Sequence, residues 1–107
     1  MSQIFEIKKL LETGSGLQNP YHEFLRIPAM SAGIYVLPTG ATDHQRPHRE
    51  DEIYYVVSGS GKMKLGGEEQ AVKQGDVIFV EASAEHRFFD IEQELVLLVV
   101  FGPAETS

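Results

Sequence analysis

The stretch HREDEIYYVVSGSG, which spans residues 48–61, decides the fold of this chain. Its middle, residues 53–57, is a run of β-branched and aromatic residues, and such residues favour a strand. Glycine and serine follow at residues 59–61, a composition typical of a turn. We therefore predict a strand here, and we reject a helix in which His48 and Glu52 would lie on one face.

Further short β segments, separated by turn residues, are predicted on both sides of this stretch. Many short strands with glycine-rich turns are typical of a sandwich or a barrel, and nothing in the pattern indicates alternating strands and helices. The predicted segments are residues 21–27, 31–37, 62–65, 70–72, 77–80, 87–89 and 95–101, with a hairpin turn at Gly66-Gly67.

The N-terminal segment has two interpretations. Ile4, Ile7, Leu10 and Leu11 have nearly helical spacing, which favours a short helix ended by Gly14. A short strand followed by one helical turn fits the same residues nearly as well. We therefore expect this segment to be either helical or extended.

The length and composition of the chain limit its functions. Its 107 residues fit one domain, residues 1–107, with a barrel core at about residues 21–102. The net charge of −7 argues against a nucleic-acid partner and against an anionic membrane surface, because both attract basic proteins. The absence of cysteine excludes thiolate metal sites and cysteine nucleophiles, and it fits a reducing compartment.

The longest apolar run, residues 95–101, bears on both location and assembly. It is too short to span a membrane, which takes roughly 20 residues, and no signal-peptide layout begins the sequence, so we expect a cytoplasmic protein. Because every position in the run is apolar, both of its faces should be buried. One face would line the core, and the N-terminal segment or a second copy would cover the other. We therefore predict a homodimer.

The separation of His48 and Glu52 sets a geometric condition on any site that they share. Positions four apart on a straight strand are separated by roughly 13 Å, at about 3.3 Å per residue. Two ligands that each lie about 2.1 Å from one metal ion cannot be that far from each other. If both residues bind one ion, the chain at residues 49–51 must bulge or turn.

The chain resembles the single-domain cupins, which are small jelly-roll β-barrels, in two sequence blocks. The first block of the family contains a glycine, two histidines one residue apart, a glutamate and a second glycine. This chain has Gly40, Arg46 in the place of the first histidine, His48 in the place of the second, Glu52 and Gly59, all at matching spacing.

The second block of the family contains glycine, proline, glycine, histidine and asparagine. It corresponds here to Gly75, Glu81 in the place of proline, Ser83 in the place of glycine, His86, and Asp90 in the place of asparagine. The resemblance covers most of the chain. It implies an all-β fold, a cupin jelly-roll β-barrel with a short N-terminal helical or extended segment.

In cupins the two histidines and the glutamate of the first block, with the histidine of the second, hold a divalent metal ion inside the barrel. Carried over by position, the resemblance implies His48, Glu52 and His86 as metal ligands, for an iron, manganese, nickel or zinc ion. Arg46 cannot complete the set, because a guanidinium stays protonated and has no lone pair to donate.

Three outcomes follow for the remaining ligand position. The two histidines and the carboxylate form a facial triad with open positions, which suits non-haem Fe(II). Alternatively His44 or Gln45, in the same loop, supplies a fourth ligand. In the third outcome the site has no metal, and its residues only hydrogen-bond one another.

Arg46, Tyr54 and Phe88 are the candidate substrate-binding residues. Arg46 either points outward or clamps a carboxylate or phosphate of the substrate at the barrel mouth. Tyr54 and Phe88 share strand parity with Glu52 and His86, so they should face the interior. Core packing is the first interpretation of these two residues, and pocket lining is the second.

The other acidic residues have simpler interpretations. Asp90, on the same parity as His86, either hydrogen-bonds a ligating histidine or starts a turn. The pairs Glu50-Asp51 and Glu68-Glu69 are expected to lie on the solvated surface.

These residues predict a metal-binding cupin that acts on or binds a small molecule, with the metal as a Lewis acid or oxygen-activating centre. Two histidines and one carboxylate favour a non-haem oxygenase. A metal-dependent isomerase or epimerase is an alternative, and so is a metal-free or non-catalytic barrel that binds or senses a small ligand. The fold does not choose among these reactions, so no catalytic residue is assigned.

Overall fold

One short helix precedes six strands in the computed structural model, which describes residues 2–14, 20–43 and 46–106. The helix confirms the helical interpretation of the N-terminal segment. No helix within these ranges has the length and apolarity needed to cross a membrane. The elements are α1 (Ile7–Gly14), β1 (Tyr21–Ile27), β2 (Met30–Leu37), β3 (Asp51–Leu65), β4 (Glu68–Lys73), β5 (Val77–Val80) and β6 (His86–Gly102).

All the strand pairs are antiparallel, in the order β1-β2-β6-β3-β4. Strand β5 also pairs with β3, beside its first residues, whereas β4 pairs with the last residues of β3. The two long strands β3 and β6 run side by side and carry most of the sheet. The all-β jelly-roll expectation is confirmed. Its central strands carry the ends of the two sequence blocks, Glu52 and Gly59 on β3 and His86 and Asp90 on β6.

The predicted turn at residues 59–61 is wrong, because β3 continues through it. The pairing of β3 with β6 changes register between Val56 and Lys62, so the strand bulges instead of reversing. The bulge lets β3 leave β5 and pair with β4. Strand β6 is also continuous, although we predicted two separate segments within it.

Gly59 is required at this bulge for two reasons. Its φ of +96° is a conformation that side chains other than glycine rarely adopt. In addition, a Cβ atom at this position would overlap the backbone carbonyl of Glu94 on β6. The close approach of the two central strands therefore excludes any side chain here.

We expect Gly59→Ala to lower the free energy of unfolding by about 4 kcal/mol, from backbone strain and overpacking together. Gly75→Ala is the matched control, because Gly75 has a nearly identical φ of +94° but has open space around its Cβ position. The control should lose only about 1–2 kcal/mol. Urea unfolding of both variants measures the difference. Equal losses would show that the contact with Glu94 has no energetic consequence.

The core is built from the inward side chains of β2, β3 and β6, and Val72 on β4 and Ile78 and Val80 on β5 complete it. Tyr54 and Phe88 are both fully buried, so their predicted inward orientation is confirmed. Their rings pack edge to face with centroids 5.1 Å apart. The Tyr54 ring of this pair lies beside the predicted ligand His86, with ring centroids 6.0 Å apart.

The outer face of β3 and β5 is apolar and partly exposed. Val77 and Phe79 are 67% and 57% exposed, and Ile53 and Tyr55 lie opposite them across the two strands. On β6 the outward residues Leu98 and Val100 are only partly buried, whereas its inward residues are buried. The homodimer that we inferred from residues 95–101 stays a prediction.

Candidate metal centre

The structure brings His48, Glu52 and His86 together. One potential ligand atom from each residue lies within 4.8 Å of those from the other two, so the group could hold a metal ion. Two ligand atoms on opposite sides of one ion are separated by about 4.2 Å, which is close to this limit. The side chains of Glu52 and His86 are fully enclosed, whereas that of His48 is 17% exposed and lies toward the surface.

The chain bends between His48 and Glu52, as a shared site requires. Residues 49–50 form a bend, and β3 begins only at Asp51. The backbone N–H of Ser83 donates to the carbonyl oxygen of His48 at 2.6 Å, which ties the two sequence blocks together. Ser83, in the place of the family glycine, has a φ of +67°. The predicted departure from a straight strand is therefore confirmed.

The carboxylate of Glu52 is buried beside His86. Its Oε2 has no hydrogen-bond partner among the described residues, and its Oε1 has one only if His86 Nε2 carries a proton. Its Oε1 lies 2.9 Å from His86 Nε2. A buried carboxylate without a counter-charge is costly, so this arrangement calls for a positive charge in contact with both residues.

The proton on the His86 ring is located by the backbone. Nδ1 lies 3.0 Å from the carbonyl oxygen of Ala84, which can only accept, so Nδ1 carries a proton. Nε2 faces Glu52, and the hydroxyl of Tyr54 lies 3.1 Å from it. Burial lowers the pKa of His86, but hydrogen bonds to Glu52 and Ala84 outweigh it, and the pKa is raised above its ordinary value. Either a second proton or a metal ion at Nε2 would neutralise the facing carboxylate.

The ring of His48 is held between two aromatic rings and a carboxylate. Its centroid lies 5.0 Å from that of Phe101 and 5.6 Å from that of His86. Its Nδ1 lies 3.1 Å from Oε2 of Glu105. Burial is the main cause that raises the pKa of Glu105, and the facing His48 lowers it. Glu105 is not among the residues that the sequence predicts for the site, because it follows the last predicted strand and belongs to neither block.

A second missed carboxylate, Asp43, supports the site from the loop before His48. Asp43 is buried, and its two oxygens accept hydrogen bonds from the Tyr35 hydroxyl at 2.6 Å and from the Phe88 backbone N–H at 2.8 Å. Burial and the bond to Asp43 raise the pKa of Tyr35, so Tyr35 stays a donor. The loop is thereby fixed to β2 and β6. Only its position just after the first block glycine, Gly40, could have pointed to Asp43.

The other residues that the sequence predicted near the site are Arg46, His44, Gln45 and Asp90. Arg46 is exposed, which agrees with the outward interpretation, and its role toward a substrate stays a prediction. His44 and Gln45, the alternative fourth ligands, lie outside the described residues. The exposed carboxylate of Asp90 lies 3.6 Å from Nζ of Lys62 on β3, and no contact with a predicted ligand is found for it among the described residues.

The surface prediction for Glu50 is wrong. Glu50 is only 3% exposed, and its Oε2 accepts a hydrogen bond from the Thr106 hydroxyl at 2.8 Å. The bend that brings His48 to Glu52 turns Glu50 inward, beneath the C-terminal residues. Asp51 is exposed as predicted, and its Oδ1 accepts from the backbone N–H of Ala82.

A cavity of about 240 Å³ has His86 in its wall, although the side chain of His86 itself is fully enclosed. It is small compared with pockets for drug-sized ligands, which have volumes of about 300 Å³ or more. Charged side chains of both signs contribute to its wall. The lining residues are Pro47, Lys64, Gly66, Glu85, His86 and Arg87.

A family model described as the cupin domain matches residues 33–101, which include both sequence blocks. The chain is a cupin. The match ends before the C-terminal residues that contact His48, so Glu105 lies outside the part of the protein that the family describes.

Known relatives extend this likeness over nearly the whole cupin. It is 40% identical over 102 residues to an uncharacterized protein of Streptomyces coelicolor, with 95% of this chain and 97% of that protein covered. A conserved protein with a double-stranded β-helix domain from Klebsiella pneumoniae matches with a TM-score of 0.77 and 19% identity, covering 96% of this chain and 91% of that one. The structure of TT1209 from Thermus thermophilus matches with a TM-score of 0.73 and 24% identity, covering 96% and 99%. These two structural likenesses show the fold alone.

Proposed function

We propose that this cupin binds one divalent metal ion through His48, Glu52 and His86, and that it acts on a small molecule at that ion. The observation that carries the proposal is the state of Glu52. Both of its oxygens are buried: Oε2 has no hydrogen-bond partner among the described residues, and Oε1 faces Nε2 of His86 at 2.9 Å, where only a proton or a cation can balance its charge. A cation bound at this point would satisfy both groups at once.

The donor set fits such an ion. Two imidazoles and one carboxylate are ligands for iron, manganese, nickel and zinc, and they leave open positions for a substrate or water. The Ala84 carbonyl holds the His86 proton on Nδ1, so the Nε2 lone pair points into the group. A divalent ion bound there would supply Lewis acidity to a carbonyl group or to a water molecule.

The protein's own groups would orient the small molecule. The cavity with His86 in its wall is the binding place that we propose for the small molecule, and Lys64 and Arg87 on that wall would attract an anionic substituent. The buried hydroxyl of Tyr54, 3.1 Å from His86 Nε2, would be a hydrogen-bond donor close to the proposed reacting atoms. Burial of the pair Tyr54 and Phe88 excludes water from the inner side.

Metal titration of the chelator-treated, untagged protein tests this proposal. We expect close to one zinc, manganese, nickel or ferrous ion per chain. An ion present at about 100 times its Kd should raise the free energy of unfolding by about 2.7 kcal/mol. Protons compete with the ion for His86. Because the pKa of His86 is raised above 6.5, we expect the metal affinity to start falling before the pH has dropped to 6.5.

The same titration identifies the rival functions. Binding of less than about a tenth of an equivalent, with no shift in unfolding, would overturn the metal proposal. A protonated His86 would then form an ion pair with the Glu52 carboxylate, and the barrel would be a metal-free ligand-binding protein. An affinity that does not change between pH 8 and pH 6 would exclude His86 as a ligand.

A further inference from the structure

The carboxylate of Glu105 reaches the candidate metal centre from the C-terminal end of the chain. Its Oε2 lies 3.1 Å from Nδ1 of His48, and the two side chains are only 19% and 17% exposed. Among the described residues, the group within 4.8 Å contains His48, Glu52 and His86 but not Glu105. Glu105 therefore contacts the centre through the His48 ring.

The backbone around Glu105 is anchored independently of this side chain. The Glu105 N–H donates to the hydroxyl of Ser31 at 2.9 Å, and its carbonyl oxygen accepts from Arg26 at 2.8 Å. Thr106 donates to the buried Glu50. Because these bonds fix the C-terminal residues, the carboxylate is held in place beside His48.

A carboxylate at this position determines which nitrogen of the ring carries the proton. A carboxylate can only accept, so it favours the His48 form with the proton on Nδ1 and the lone pair on Nε2. Such a bond also fixes the ring orientation and makes the other nitrogen a stronger donor to a metal. Partial burial makes the bond stronger than an exposed ion pair would be.

We propose that Glu105 is a positioning residue for the metal centre, which holds the His48 proton on Nδ1 and so prepares Nε2 as the ligand atom. This inference rests on the proposed function. The two histidines would then be prepared in the same way, His86 by the backbone carbonyl of Ala84 and His48 by the side chain of Glu105.

The test compares Glu105→Ala and Glu105→Gln with the wild type. Both variants keep the backbone bonds of residue 105, so the C-terminal residues should stay in place. Glu105→Ala should weaken metal affinity about 10- to 100-fold, the usual effect of losing such a partner. Glu105→Gln keeps a neutral acceptor for the N–H, so its metal affinity should lie between that of Glu105→Ala and that of the wild type.

A second readout uses the metal-free protein. Long-range ¹H–¹⁵N spectra, recorded where the rings are neutral, should show the His48 proton on Nδ1 in the wild type and displaced toward Nε2 in Glu105→Ala. Glu81→Ala is the control, because it removes an exposed glutamate near Ser83 and changes the net charge equally. The control should change neither the affinity nor the spectrum.

The outcomes separate the two proposals. Unchanged metal affinity and an unchanged His48 proton in Glu105→Ala would overturn the role of Glu105 and leave the proposed function standing. A wild-type protein that binds no metal would overturn both. A similar loss in Glu81→Ala would also overturn the inference, since net charge would then explain the effect.

Discussion

Glu52→Gln is expected to lower the affinity for the metal ion more than about 100-fold, because losing a ligand should cost more than losing a group that only positions one. The substitution keeps the volume of the side chain and removes its charge. The amide can still occupy the buried position, so the metal-free fold should be preserved. Metal titration followed by thermal unfolding measures the effect, and circular dichroism of the metal-free variant checks its fold.

The chain provides a close control for this variant. Glu50 is also a buried glutamate on the same bend, but its carboxylate faces Thr106 and lies outside the metal group. Glutamine at position 50 can still accept that bond, so Glu50→Gln should change the metal affinity less than about tenfold. An equal loss in both variants would show that Glu52 acts through the general negative charge of the barrel mouth.

Asp43→Ala is expected to lower the free energy of unfolding by roughly 3 kcal/mol. Removal of this carboxylate leaves the Tyr35 hydroxyl and the Phe88 N–H without their acceptor in the interior. Each orphaned buried donor costs about 1–3 kcal/mol, and repacking recovers part of that cost. Urea unfolding of the metal-free protein measures the loss without any contribution from a bound ion.

Asp76→Ala is the comparison for Asp43→Ala. Asp76 also accepts a backbone hydrogen bond, from Lys73 at 2.8 Å, but this bond is exposed. Water can replace the lost acceptor there, so the loss should be about 1 kcal/mol or less. If Asp43→Ala were as mild as this control, the bonds of Asp43 would not be what holds its loop to β2 and β6.

Local pattern predicted most of the barrel. The strand bounds at residues 21–27 and 77–80 are those of β1 and β5, because turn residues or proline stand at their ends. The prediction failed at residues 59–61, where glycine serves a bulge. A glycine that ends a strand and a glycine that lets two strands approach look the same in sequence. Only the position of Glu94 on the neighbouring strand separates them.

The candidate metal centre was likewise predictable from the sequence only in part. Spacing and family resemblance named His48, Glu52 and His86, and the structure brings these three side chains together. Spacing and family resemblance could not predict the role of Glu105. Its contact with His48 depends on the path of the chain after β6 and spans 57 positions in sequence (105 − 48). Glu50 was misplaced for a related reason, since a charged residue beside a strand is usually exposed.

The sequence by itself therefore determined that this protein is a β-barrel cupin with two histidines and one glutamate at the family's ligand positions. Those features depend on alternation, turn residues and spacing, which are local properties of the chain. Tertiary structure alone decided that Glu52 is buried against His86 and that Asp43 and Glu105 hold the surrounding groups. Burial and long-range contact depend on which strands meet, and the chain has to close into a barrel before a carboxylate near its end can reach His48.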